Sequence, residues 1–158
     1  MFVWRISNYV DLGGAGGVRA EGRWHNAGAP IVYCALHPAT ALVEKLVHEV
    51  VEPSWLPDTY KYLKIDVPDG LTTMKLPHLP TGWQGDLIYT RAIGDDWLSK
   101  CGTALLFVPC VLVPEAENVL INPRHPDAAS IRIVEEIDFP LDGRFLKTAP
   151  PVAASGVP

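Results

Sequence analysis

A continuous apolar run, APIVYCAL at residues 29–36, passes through one proline into a helical stripe, and this junction constrains the fold more than any other feature. The run reads as a buried strand. Pro38 suits the first turn of a helix. Ala39, Leu42, Val43, Leu46, Val47 and Val50 then recur at the spacing of one helical face, and the helix is expected to end near Pro53. The stripe centres near Ala39 and Leu46, so Thr40, Glu44 and His48 are expected to form a separate polar row.

The rest of the chain is mostly strand. Residues 2–6, 59–66, 104–113, 117–122 and 130–138 carry strand patterns, and residues 87–101 hold a second helix weakened by Gly94. Pro109 interrupts the 104–113 strand, which predicts an edge or bulge position. Residues 67–85 read as irregular. With 15 prolines and 13 glycines, long helices are not expected. Strands outnumber helices without regular alternation, which predicts an α+β fold, a mixed sheet with few helices, in a single domain. A length of 158 residues fits one domain. The domain is expected to span residues 1–147, with a mobile tail at 148–158.

Composition narrows the function. The formal charge is −5 and no two Lys or Arg residues are adjacent, so direct nucleic-acid binding is not expected. No apolar run reaches the length of a membrane span, and the first residues lack a signal-peptide pattern. Three cysteines without a CxxC pair argue against a disulfide framework or a structural metal site. These features predict a cytoplasmic protein without metal.

Several motifs fail on detail. The glycines at 13, 14, 16, 17 and 22 do not match a phosphate loop, because position 19 is Arg where a dinucleotide fingerprint needs Gly. The segment reads as a flexible loop. GxSxG and HExxH are absent, and Glu44 with His48 would give a metal only two ligands.

What survives is a constellation around the strand–turn–helix unit. Arg23 precedes the strand that carries Tyr33, and the helix carrying Glu44 follows. Arg offers a fork for pyrophosphate, Tyr a face for a planar ring, and a carboxylate can stabilise a cation developing on a ribose. On residue types alone, a surface ion pair, a core aromatic and a solvated helix face are the favoured readings of the three. Asn118 and Asn122 flank a strand and suit either turns or a site.

The chain resembles the RES-domain family of bacterial toxin–antitoxin toxins. The matching stretches are WRI at 4–6, GRWHNAGAPIVYCA at 22–35, ALVEKLVH at 41–48, LLFVPCVLVPEAEN at 105–118 and LINPRHP at 120–126. The resemblance implies an ADP-ribosyltransferase-like fold and consumption of NAD as substrate. It assigns Arg23, Tyr33, Glu44 and His48 as catalytic, and Arg23, Tyr33, Cys110 and Asn118 as cofactor-binding. Cys110 stands where the family carries Ser, and a thiol is a weaker donor than a hydroxyl. A nucleophilic Cys110 beside His48 is disfavoured by its apolar neighbours.

The implied reaction cleaves the nicotinamide–ribose bond, with water, phosphate or a protein side chain as acceptor. The alternative is a catalytically weak antitoxin-binding module whose pocket has decayed at Cys110. The implied partner is a helix-turn-helix antitoxin of Xre type covering the active site. Trp83, Trp97 and the 104–113 strand are expected to offer apolar surface to that partner or to a second copy.

Overall fold

The computed structural model describes residues 1–49, 60–76 and 78–138. The expected domain end at residue 147, the tail 148–158 and the expected helix end near Pro53 lie outside the described residues, as does the side chain of His48.

Seven strands form one mixed sheet: β1 (Phe2–Ser7), β2 (Val32–Ala35), β3 (Lys61–Asp66), β4 (Thr73–Lys75), β5 (Leu105–Pro109), β6 (Glu117–Ile121) and β7 (Arg132–Asp138). Their order is β4-β5-β6-β2-β1-β3-β7, with β4–β5 parallel and the other pairs antiparallel. The helices are α1 (Ala15–Arg19), α2 (Pro38–Glu49) and α3 (Leu87–Lys100). Single 3-10 turns cover Trp83–Gly85 and Pro126–Ser130. The expected α+β class holds.

Alternation along the strands separates two packed faces. On one, Val3, Cys34, Leu63, Leu105 and Ile121 join a core to which no described α-helix contributes. Loop residues Leu12, Leu36 and Leu71 pack against it. Because β1, β3, β5 and β6 all feed this cluster, the sheet must curve around it. Full burial of each Leu there stabilises the fold by roughly 1.5–3 kcal/mol.

The other face carries both long helices. Ala41 and Leu42 of α2 pack on Ile6 and Ala35, while Trp97, Leu98 and Ile93 of α3 join Leu106, Val108, Leu120 and Trp24. Tyr33 packs on the α3 side. Asn118 reaches the α2 side. The seam between the helices therefore runs between these two residues.

Several details differ from expectation. The glycine-rich stretch is not a plain loop, because α1 forms inside it and Gly17 is buried. The irregular 67–85 stretch contains β4, three residues too short to show alternation. On α2, Thr40 and Ala41 are buried whereas Ala39 and Val47 are exposed. The polar row thus turns toward the sheet, since Glu44 has polar partners there. Trp97 is buried and does not offer the apolar surface expected of it, and of the 104–113 segment Ala104, Leu105, Leu106, Val108 and Cys110 are buried while Leu112 is exposed. Trp83 is only partly buried and packs on Trp24, with ring centroids 5.7 Å apart. Pro109 ends β5 beyond the stretch paired with β4, as an edge position requires. Gly94 is needed where it stands: a Cβ there would overlap the Trp24 carbonyl.

Candidate active site

The first cluster forms where α2 meets β6. Asn118 Nδ2 donates to Glu44 Oε1 at 2.7 Å, and the Cys110 thiol donates to the same oxygen at 3.2 Å. Strand pairing brings these residues together: Ala35 at the foot of α2 lies opposite Asn118, and Cys110 directly follows β5. Charge-assisted donors on a half-buried carboxylate fix its position. Asn118 Oδ1 is buried and has no hydrogen-bond partner among the described residues.

Cys110 is held on two sides. Its Sγ accepts the Val113 N–H at 3.3 Å, and its own N–H donates to the Ala116 carbonyl at 2.9 Å. Burial first, with the Glu44 contact adding to it, pushes the thiol pKa up. A thiol in that state is protonated, which suits a donor and not a nucleophile.

The second cluster is built on the segment 22–26 and β2. The Arg23 guanidinium is near the surface, and its Nη1 donates to the Gln84 carbonyl at 2.8 Å. One of its five N–H groups is used there. The segment is clamped along α3. Thr90 Oγ1 donates to the Arg23 carbonyl at 2.8 Å, and Arg91 Nε donates to the Gly22 carbonyl at 2.9 Å. Asn26 donates to both Asp95 oxygens, from its backbone N–H at 3.0 Å and from Nδ2 at 2.6 Å. Tyr33 lies beneath this segment. Its Oη contacts the Trp24 N–H at 3.1 Å and His25 Nδ1 at 2.9 Å. Burial raises the pKa of the phenol, so it stays protonated.

The two clusters share one sheet face. Tyr33 lies opposite Leu120, and Ala35 lies opposite Asn118, so Tyr33 and Asn118 are diagonal neighbours across β2 and β6. Glu44, Cys110 and Asn118 thus meet on the sheet face that also carries Tyr33, while the Arg23 guanidinium is turned to the Gln84 carbonyl. His48 lies one turn beyond Glu44 on α2. Asn122 does not join them. It is fully buried and donates to the Leu98 carbonyl, tying down the end of α3. The sequence reading passed over His25 and the clamp residues Thr90, Arg91 and Asp95. A histidine between Trp24 and Asn26 carries no spacing signal, and the clamp depends on contacts about 67 to 69 residues apart.

The RES domain family matches residues 2–142. A relative from Pseudomonas putida named Toxin Res is 45% identical over 145 residues, covering 92% of this chain and 99% of its own. A Sphingobium relative named Prs ADP-ribosylating toxin is 37% identical, covering 92% of this chain and 97% of its own. A chain of the M. tuberculosis MbcT–MbcA toxin–antitoxin complex superposes with a TM-score of 0.70 at 18% identity, covering 87% of this chain and 83% of that one. That likeness extends to the fold, a mixed sheet with few helices.

Proposed function

The chain belongs to the RES-domain family, and from that premise we propose that it is the toxin of a toxin–antitoxin pair that cleaves the nicotinamide–ribose bond of NAD. The observation that carries this reading is the Glu44–Asn118 pair: a carboxylate fixed at 2.7 Å by an amide donor and contacted by the Cys110 thiol, on the sheet face shared with Tyr33. The Arg23 fork binds the pyrophosphate, and the Tyr33 ring packs on the nicotinamide end. Asn118 orients Glu44 and meets the ribose, and Cys110 supports the carboxylate from the β5 side.

The C1′–N bond breaks and its electron pair leaves with nicotinamide. Positive charge spreads over the ribose, and the fixed Glu44 carboxylate stabilises it more than it stabilises the ground state. The acceptor then bonds to C1′ and gives up its proton. His48, on the same helix as Glu44, is placed in the catalytic set on the family pattern. The Sphingobium relative's name supports transfer of ADP-ribose over simple hydrolysis. The partner is an Xre-type helix-turn-helix antitoxin that covers the seam; a toxin–antitoxin complex of like fold supports that pairing.

The test is purified protein incubated with NAD, with nicotinamide followed by chromatography in the presence and absence of phosphate. Nicotinamide release that depends on Glu44 supports the reading. ADP-ribose, ADP-ribose-1″-phosphate or a labelled protein identifies the acceptor. No release under any condition overturns it in favour of a non-catalytic antitoxin-binding module.

A further inference from the structure

His25 is 2% exposed, and nothing in the reaction described above uses it. Its Nδ1 lies 2.9 Å from Tyr33 Oη, and its Nε2 lies 3.2 Å from the Gly17 carbonyl. A carbonyl can only accept, so Nε2 carries the ring proton and Nδ1 accepts from the Tyr33 hydroxyl. Tyr33 Oη in turn accepts the Trp24 N–H. The hydroxyl is thus fully engaged inside the protein, and only the ring face remains for a ligand.

The glycine-rich stretch fits around this pair. A Cβ at Gly17 would stand 2.5 Å from Ile31 Cγ2, 2.7 Å from the Ala29 carbonyl oxygen and 2.8 Å from His25 Nε2, and one at Gly22 would stand 2.6 Å from Tyr33 Oη. The imidazole and the phenol thus lie in close contact with two glycine backbones. Charged groups face the pair from α3 and from the 22–26 segment. Asp95 favours the imidazolium, and Arg91 opposes it; Arg23 acts on Tyr33. Burial outweighs them and holds the His25 pKa below 6.5.

We propose that neutral His25 is the positioning residue for Tyr33, and that protonation of its imidazole turns the phenol proton outward and releases the ring from its ligand-binding orientation. This rests on the reading of Tyr33 as the residue that packs on the nicotinamide ring. When Nδ1 gains a proton it becomes a donor, and Tyr33 Oη then faces two N–H groups. The phenol proton must leave the His25 side, and the arrangement that fixes the ring is lost. The site then engages its ring ligand weakly at acid pH.

The test compares wild type, His25→Asn and Tyr33→Phe as full chains labelled with 3-fluorotyrosine. The Oδ1 of an Asn at position 25 takes the place of Nδ1 and accepts the phenol proton, but it does not titrate. The Tyr33 fluorine resonance is identified by its loss in Tyr33→Phe. It should move with a midpoint below pH 6.5 in wild type and stay fixed in His25→Asn. Nicotinamide release should fall up to about tenfold across the same midpoint in wild type, through KM more than kcat. His25→Asn should lack that acid limb.

A Tyr33 resonance that does not titrate, or an acid limb unchanged in His25→Asn, overturns the proposal. A resonance that titrates as expected while no variant releases nicotinamide supports the positioning role and rejects the NAD reading. Should His25→Asn not fold, nitrogen NMR of the wild-type imidazole decides: a proton on Nδ1 at pH 7.5 overturns the proposal, and a proton on Nε2 supports it.

Discussion

Asn118 and Glu44, 74 residues apart in sequence, meet at 2.7 Å through an amide donor and a carboxylate acceptor, and that contact joins α2 to the centre of the sheet. The amide presents Nδ2 to the carboxylate, because the opposite orientation would set two acceptors against each other. Its oxygen is thereby committed to a buried side that holds no partner for it among the described residues.

Glu44→Gln keeps the shape and removes the charge. Its amide oxygen can still accept from Asn118, so the melting temperature should change little. Nicotinamide release should fall about 10²–10³-fold, the usual cost of one electrostatic group acting in the transition state. Release at the wild-type rate from a folded Glu44→Gln protein would contradict the assignment.

Asn118→Asp places a second carboxylate on Glu44 Oε1. Two carboxylates at that distance cannot both ionise, so one is driven to hold a proton at higher pH. Glu44 then no longer rests as a fixed anion on an amide donor, so nicotinamide release near neutral pH should fall by about tenfold or more. Release at the wild-type rate from a folded Asn118→Asp protein would show that Asn118 does not set the state of Glu44.

Cys110→Ser exchanges a weak thiol donor for a hydroxyl aimed at the same carboxylate. The gain of a hydrogen bond is about 0.5–1.5 kcal/mol, which corresponds to a few-fold to tenfold rise in activity or NAD affinity. Near-complete loss of nicotinamide release would instead mark Cys110 as a nucleophile. Loss of thermal stability with no activity effect would mark it as packing alone.

Arg23→Lys removes the fork while keeping the charge. NAD affinity should weaken by about tenfold in calorimetry, since a lysine contacts pyrophosphate only as a point charge. Arg19→Lys, on α1, should leave affinity close to wild type. Equal affinities for wild type and Arg23→Lys would remove Arg23 from the binding site.

Buried His25 also makes stability depend on pH. Its pKa is held below 6.5 in the folded state and returns to about 6.5 on unfolding. Its stabilising contribution is complete above pH 6.5 and is lost as pH falls from there through the folded-state pKa. The melting temperature should decline over that acid window, and His25→Asn should decline less. Identical pH dependence in the two proteins would show that His25 is not the titrating group.

The strands and the two long helices were readable in the sequence because their apolar spacing is local. The Arg23, Tyr33 and Glu44 set is proposed from the family pattern, not from the residues alone. What escaped was set by distant contacts. Glu44 sits on the flank of a good apolar stripe, yet Asn118 and Cys110 turn that flank inward, and no local pattern encodes their arrival. β4 is three residues long and exists because β5 offers it an edge. The glycines of residues 13–22 resembled a loop because the imidazole and phenol in close contact with two of them lie beyond that stretch.

The sheet order has a consequence for how the chain is born. β1 has both of its neighbours once Asp66 has been synthesised, but β2 must wait for β6 and lacks one neighbour until Ile121 has been made. At about 5–20 residues per second, the helix bearing Glu44 exists for several seconds before Asn118 emerges to fix it. A nascent chain stalled before that point carries the carboxylate without the geometry. The cell that makes the protein is therefore exposed to a finished site only after nearly the whole described chain is complete, which leaves a window in which an inhibitor synthesised alongside can already be folded and waiting.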